Sequence, residues 1–335
     1  MSVPRPSVTR PVAALSMFAA SAVALAGCAA PAAEAEVEPS TAAEATSVEV
    51  EDNTGTHTIE LPPTSVVATD NRTFETLADW GVELTAAAVS LMPSTVAYKD
   101  DASIIDLGTH REPDLEAVVA VEPDLIINGQ RFAQFHDDFV ALAPDATVLE
   151  LDPREGEPLD AELARQTTVL GEIFGKQDEA AQLVADLEAA IERAAAAYDA
   201  DQTVMAVTTS GGEIGYIAPG LGRTLGPVFD ILGLTPALEV EGASDDHQGD
   251  DISVEAIADS NPDWILVMDR DAAVAADDPA YEPAADILEN SEALADVTAV
   301  KEGNILYMPA DTYTNEGIQT YTEFFDALAD AFEGK

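Results

Sequence analysis

Arg131 and Arg270 close two stretches of the chain that can be laid over one another: EAVVAVEPDLIINGQR, residues 116–131, and EAIADSNPDWILVMDR, residues 255–270. Each opens with Glu-Ala, carries Pro-Asp at the same place, runs into an apolar segment and ends on arginine. A guanidinium is planar and permanently charged, and its fork of donors suits oxygen-rich groups. The chain holds ten arginines, and a third one, Arg223 in GLGRTLG, also falls where a loop would meet a cleft. Singly, each reads as a surface ion-pair partner. Together, converging on one cleft of an acidic protein, they would focus the field for an anionic ligand.

Two further side chains could do metal chemistry. His247 lies in EGASDDHQGDD and Tyr313 in ADTYTNEG, and an imidazole nitrogen and a phenol oxygen are both competent ligands for ferric iron. The acids beside His247 also suggest an oxygen-rich, calcium-like site, although Asp245, Asp246, Asp250 and Asp251 lack the ordered spacing of an EF-hand. Catalytic motifs are missing from the sequence: no Gly-x-Ser-x-Gly elbow, no Walker glycine-lysine loop, no His-Glu-x-x-His, and no cysteine beyond Cys28. A carboxylate pair carries no signal among sixty-four acids.

The elements that must position these residues alternate. SVVATD, LTAAAVS, the LII of the first copy and TVLELD read as strands, with TFETLADW and Leu115 to Val121 as helices between them. Ala161 to Phe174 and Asp178 to Tyr198 read as a long helical region broken at Gly175, after which TVMAVTT, GGEIGYIAP, the second copy and NILYMP restart the pattern. The expected fold is α/β, two lobes joined by a long rigid backbone helix, with residues 49–158 and 201–335 as the lobes and 159–200 as the connection. Ligands in such sheets bind beyond the carboxyl ends of the strands, where Arg131 and Arg270 fall.

With 335 residues, 47% of them hydrophobic, the chain can bury a sizeable core. Its formal charge of −50 argues against nucleic-acid or anionic-membrane surfaces, which need a basic footprint. It suits solubility, and also a high-salt habitat where self-repulsion is screened. At the N-terminus, Arg5 and Arg10 precede an apolar run, Pro11 to Ala26, too short to span a membrane, and the run ends in Leu25-Ala26-Gly27-Cys28. That ending resembles the lipobox of bacterial lipoproteins, which implies a signal peptide over 1–28, a lipid on Cys28 as anchor, and a flexible acidic tether over 29–48. As the only cysteine, Cys28 allows no internal disulfide.

VVATDNRTFETLADWGV, LGTHREPDLEAVVAVEPDLIINGQR, IAPGLGRTLGPVFDILG, HQGDDISVEAIADSNPDWILVMDR and VKEGNILYMPADTY, in this order over nearly the whole mature chain, resemble the siderophore-binding lipoproteins of ABC importers, the ferric-catecholate or petrobactin binders above all. The resemblance implies a class III periplasmic-binding-protein fold and a monomer without intrinsic cofactor or catalysis. Its ligand would be ferric iron as a siderophore complex, held outside the cytoplasmic membrane for a permease dimer and its ATPase. Arg131, Arg223 and Arg270 match the family's cleft arginines, and His247 its histidine, which in some members ligates iron. The partner tyrosine of those members follows a Trp-Tyr-like pair; here Thr312-Tyr313-Thr314 stands there, so Tyr313 is displaced by one place. Arg72 stands where a small residue is usual, and would either add a cation to the cleft rim or pair with Asp70. Glu116 and Glu255 match the acids that dock into the permease subunits, a symmetry that suits a two-fold partner. Each is also what a helix dipole favours in a first turn. A hydroxamate siderophore, a corrinoid or haem on the same scaffold would not need the arginine triad, and a surface-anchored hydrolase is the alternative from another class.

Overall fold

The computed structural model describes residues 45–334; the signal segment, Cys28 and most of the tether lie outside them. β1 (Ser47–Glu51) and β2 (Thr56–Glu60) pair as an antiparallel ribbon. β1 takes up the last residues of the expected tether, because Val50 and Ile59 turn their apolar side chains into the first core. Then follow β3 (Val66–Ala68), α1 (Phe74–Asp79), β4 (Ala86–Ala87), β5 (Ile105–Asp106), a small hairpin of β6 (Gly108–Thr109) and β7 (Glu112–Pro113), α2 (Leu115–Ala120), β8 (Leu125–Asn128), α3 (His136–Leu142) and β9 (Thr147–Glu150). The first sheet runs β5-β4-β3-β8-β9, all parallel. Its chain order reverses between β3 and β8, which opens a crevice at their carboxyl ends. Arg72 leaves that edge after β3 and Arg131 after β8.

α4 (Leu159–Phe174) and α5 (Gln177–Ala197) follow the first lobe. α4 reaches into both lobes: Leu163 packs in the second core, whereas Val169, Leu170 and Ile173 pack in the first. At about 1.5 Å per residue it spans roughly 24 Å. The chain turns at Gly175, left-handed at φ 64°, and α5 folds back so that Leu187, Ala190 and Ala194 pack in the second core. The helices cross closely because residue 171 is glycine; a Cβ there would stand 2.6 Å from that of Ala180.

The second lobe continues with β10 (Thr203–Ser210), β11 (Glu213–Tyr216), α6 (Gly226–Leu232), β12 (Thr235–Pro236), α7 (Val254–Ser260), β13 (Trp264–Asp269), α8 (Arg270–Val274), α9 (Ala284–Glu289), α10 (Thr298–Glu302), β14 (Ile305–Tyr307) and α11 (Ile318–Phe332). Its sheet runs β11-β10-β13-β14, with β12 also on β10; β10, β13 and β14 are parallel and β11 is antiparallel. The expected two α/β lobes are therefore present, with α4 packed in the core of each.

The repeated stretches fold alike. Each begins in a helix, α2 or α7, whose N-cap side chain, Asp114 or Ser253, accepts from the backbone three residues on. Each helix is left through a residue at φ 45°, Glu122 or Asn261, and then Pro-Asp. The Pro-Asp carboxylate ties down the start of the neighbouring central strand. Asp124 accepts from Thr64 N at 2.7 Å, Thr64 Oγ1 at 2.6 Å and Ser65 N at 3.1 Å. Asp263 accepts from Thr203 N at 2.8 Å and Thr203 Oγ1 at 3.1 Å. Beyond that aspartate run the buried strands β8 and β13.

Candidate functional site

Tyr313 stands at the centre of the site, in a short 3-10 turn after β14, and is only 2% exposed. Three guanidinium carbons surround its ring: Arg131 at 4.6 Å from the centroid, Arg270 at 4.9 Å and Arg223 at 5.0 Å. Each comes from a different element. Arg131 sits in the 3-10 turn after β8, Arg270 opens α8 directly after β13, and Arg223 lies in the loop before α6. Cation–π contacts of this kind contribute about 0.5–2 kcal/mol each. Burial would raise the phenol's pKa, but the hydrogen bond from Arg270 and the charges of Arg131 and Arg223 bring it below its ordinary value. The site thus places a phenol oxygen among cations.

Between the lobes lies a cavity of about 1310 Å³, with Arg131, Arg270, Tyr313 and His110 in its wall. Nδ1 of His110 and Nε of Arg270 are buried there without a protein partner. Burial, then the nearby Arg131 and Arg111, hold the imidazole of His110 toward its neutral form. Polar contacts cross between the lobes beside the cavity: Asn315 donates to Glu75 at 2.7 Å, Thr76 to Gln319 at 2.7 Å, and Thr95 to Asp311.

The arginines differ in their electrostatic partners. Arg223 grips Glu316, with Nε to Oε1 at 3.2 Å and Nη2 to Oε2 at 2.6 Å. Thr224 Oγ1 and, from the other lobe, Gln130 Nε2 also donate to that carboxylate. Glu316 is 1% exposed, yet its pKa falls to about 2, because Arg223, Arg72 and these bonds outweigh the burial penalty. Arg270 pairs with Asp271 at 3.0 Å. Arg131 makes no ion pair among the described residues and instead donates to the carbonyl of Tyr313 at 3.4 Å.

Five residues expected at the site, Arg131, Arg223, Arg270, His247 and Tyr313, come together. The ring of His247 lies 6.5 Å from that of Tyr313, although its side chain is half exposed and beside Asp246. The one-place displacement therefore does not carry Tyr313 away from the cleft. The side chain of Arg72 does not pair with Asp70. Its Nη1 pairs with Asp152 at 3.0 Å and only its backbone N–H reaches Asp70, whose fully buried carboxylate accepts from Gln166 Nε2 at 2.8 Å instead. Arg72 lines a second interlobe cavity of about 820 Å³, with Arg223 and Glu316. Glu116 and Glu255 are exposed at the second position of α2 and α7. Cys28 lies outside the described residues. Glu316, Gln130 and Asp152 were not legible as site residues. Glu316 in Thr-Asn-Glu-Gly looks like any of the sixty-four acids until the fold buries it.

Among the described residues no group of three His, Cys, Asp or Glu side chains could hold a metal ion, and no helix is long and apolar enough to cross a membrane. Residues 66–312 match the periplasmic binding protein family, and the chain belongs to it. Over 302 residues, 90% of each chain, it is 29% identical to the ferric-anguibactin-binding protein FatB of Vibrio anguillarum. It is 26% identical to the petrobactin-binding protein YclQ of Bacillus subtilis over 279 residues, 81% of this chain and 83% of that one. The crystal structure of YclQ superposes with a TM-score of 0.71 over 86% of this chain and 99% of its own, at 22% identity, which shows the shared fold.

Proposed function

We propose that the chain is an extracytoplasmic, lipid-anchored binding protein that captures a ferric siderophore through catecholate-type oxygens and delivers it to an ABC permease, without catalysis. The observation that carries this reading is the ring of three arginines around Tyr313, two of which reach the interlobe cavity. A guanidinium donates to oxygen-rich anions, and a cavity wall with low dielectric strengthens that attraction. His247 and Tyr313 supply two donors at most, so the iron arrives with its other ligands on a chelator. The names of FatB and YclQ support the ligand class. Cys28 holds the anchor, and Glu116 and Glu255 are the docking contacts, offered once by each lobe to a two-fold permease.

Titration with a ferric catecholate complex, followed by quenching of intrinsic fluorescence, tests the reading. Arg131→Ala is expected to weaken binding by about 30-fold and Arg270→Ala by about tenfold, since losing a desolvated charge contact costs about 2 kcal/mol and Asp271 already offsets Arg270. Unchanged affinity in both variants would defeat it.

A further inference from the structure

Glu316 is a buried carboxylate in the wall of the cleft that the capture of an anion does not call for. It draws Arg223 into a two-pronged ion pair and away from the larger cavity, whose lining includes Arg131 and Arg270 but not Arg223. Within the triad, Glu316 and Asp271 offset two of the three guanidinium charges, leaving that of Arg131. The remaining fixed cations of the wall, Lys99 and Arg111, do not redress this, because five carboxylates, Glu75 and Asp311 among them, line the same cavity.

We propose, on the basis of the siderophore reading above, that Glu316 is a positioning residue that sets the charge of the accepted ligand: by holding Arg223, it tunes the cleft to ferric complexes of low negative charge and against triply negative ones. The charge follows from the chelator. Three catecholates leave ferric iron with three negative charges, whereas two catecholates leave one, and one catecholate with a singly charged donor and otherwise neutral donors leaves none. A multiply charged anion moved out of water needs matching cations, and an unmatched charge is strongly disfavoured. The triad offers one unmatched cation, which suits the second group. Gln130 donates to Glu316 from the other lobe at 3.0 Å and so fixes the carboxylate against Arg223 in this arrangement of the lobes.

The test compares two probes on the folded protein: a ferric bis-catecholate and a ferric tris-catecholate, each titrated by fluorescence quenching. The parent chain is expected to bind the singly charged complex about tenfold more tightly. Glu316→Gln keeps the shape while removing the negative charge that holds Arg223, and should narrow that ratio by about tenfold. Combining it with Arg223→Gln should restore the parental ratio, a result that a merely structural role for Glu316 does not give. A parent chain that binds the triply charged complex as well or better, a ratio unmoved by Glu316→Gln, or a double variant that fails to restore it would overturn the proposal. Should Glu316→Gln not fold, as judged by its thermal melt, the parental ratio decides. If neither complex binds the parent chain, the siderophore reading falls and this inference with it; binding without the charge preference overturns the inference alone.

Discussion

The two copies of the repeat are alike up to the ends of their strands and different immediately afterwards. In the first, Gly129 and Gln130 follow β8; a Cβ at Gly129 would stand 2.7 Å from a carboxylate oxygen of Asp70, and Gln130 turns left-handed at φ 52°. Arg131 then lies in a 3-10 turn, without an ion pair among the described residues. In the second copy, Asp269 caps α8 by accepting from Ala272 N at 3.0 Å, and Arg270 opens that helix beside Asp271. One arginine keeps its charge for a ligand, and the other shares it with its neighbour in sequence. The repeat conserves where the guanidinium stands, whereas the residues after the strand decide how much of its charge is available.

At the opposite end of the repeat, Glu116→Ala combined with Glu255→Ala is expected to abolish iron uptake by cells, each alone giving a partial loss. Ligand affinity should stay within about twofold, as befits exposed positions far from such contacts. Full uptake by the double variant would remove the docking role from both copies.

The Pro-Asp carboxylates should separate less sharply. Asp124→Ala is expected to cost about 2 kcal/mol in a denaturant titration and Asp263→Ala about 1 kcal/mol, since three hydrogen bonds are lost against two at partly exposed sites. Although burial raises the pKa of Asp124, its bonds with Thr64 and Ser65 hold it below the ordinary value. Its contribution is therefore present above the unfolded pKa and fades as the pH falls through the lowered folded one. Equal costs at the two positions would show that the clamps are interchangeable. The smallest effect lies at the left-handed residues. Asn261 adopts φ 45° with little strain, and Glu122 does so against its preference. Glu122→Asn should therefore raise stability by about 0.5–1 kcal/mol, read as a shift in thermal midpoint.

Much of this is legible in the sequence. The apolar runs in LII and WILVMD mark β8 and β13, the stretches that open on Glu116 and Glu255 ahead of Pro-Asp mark α2 and α7, and Gly175 marks the break between α4 and α5. The short elements were not legible. β4, at two residues, and the 3-10 turn at Val89–Leu91 replace the strand expected over LTAAAVS, because the chain leaves the sheet as soon as Ala87 has paired with Ala68. Nor did periodicity mark the ribbon at 47–60, whose half-buried strands carry one buried side chain each.

The sequence by itself determined the two lobes, the repeat and the placing of Arg131 and Arg270 at strand ends, because these rest on patterns a few residues long: hydrophobic period, breakers and spacing. Only the tertiary structure decided which arginine is free. Glu316 lies 93 positions from Arg223 and 186 from Gln130, yet it stands within 3.2 Å of both. Compensation of a buried charge depends on separations of a few ångströms in a medium of low dielectric, and no local pattern in the chain encodes it.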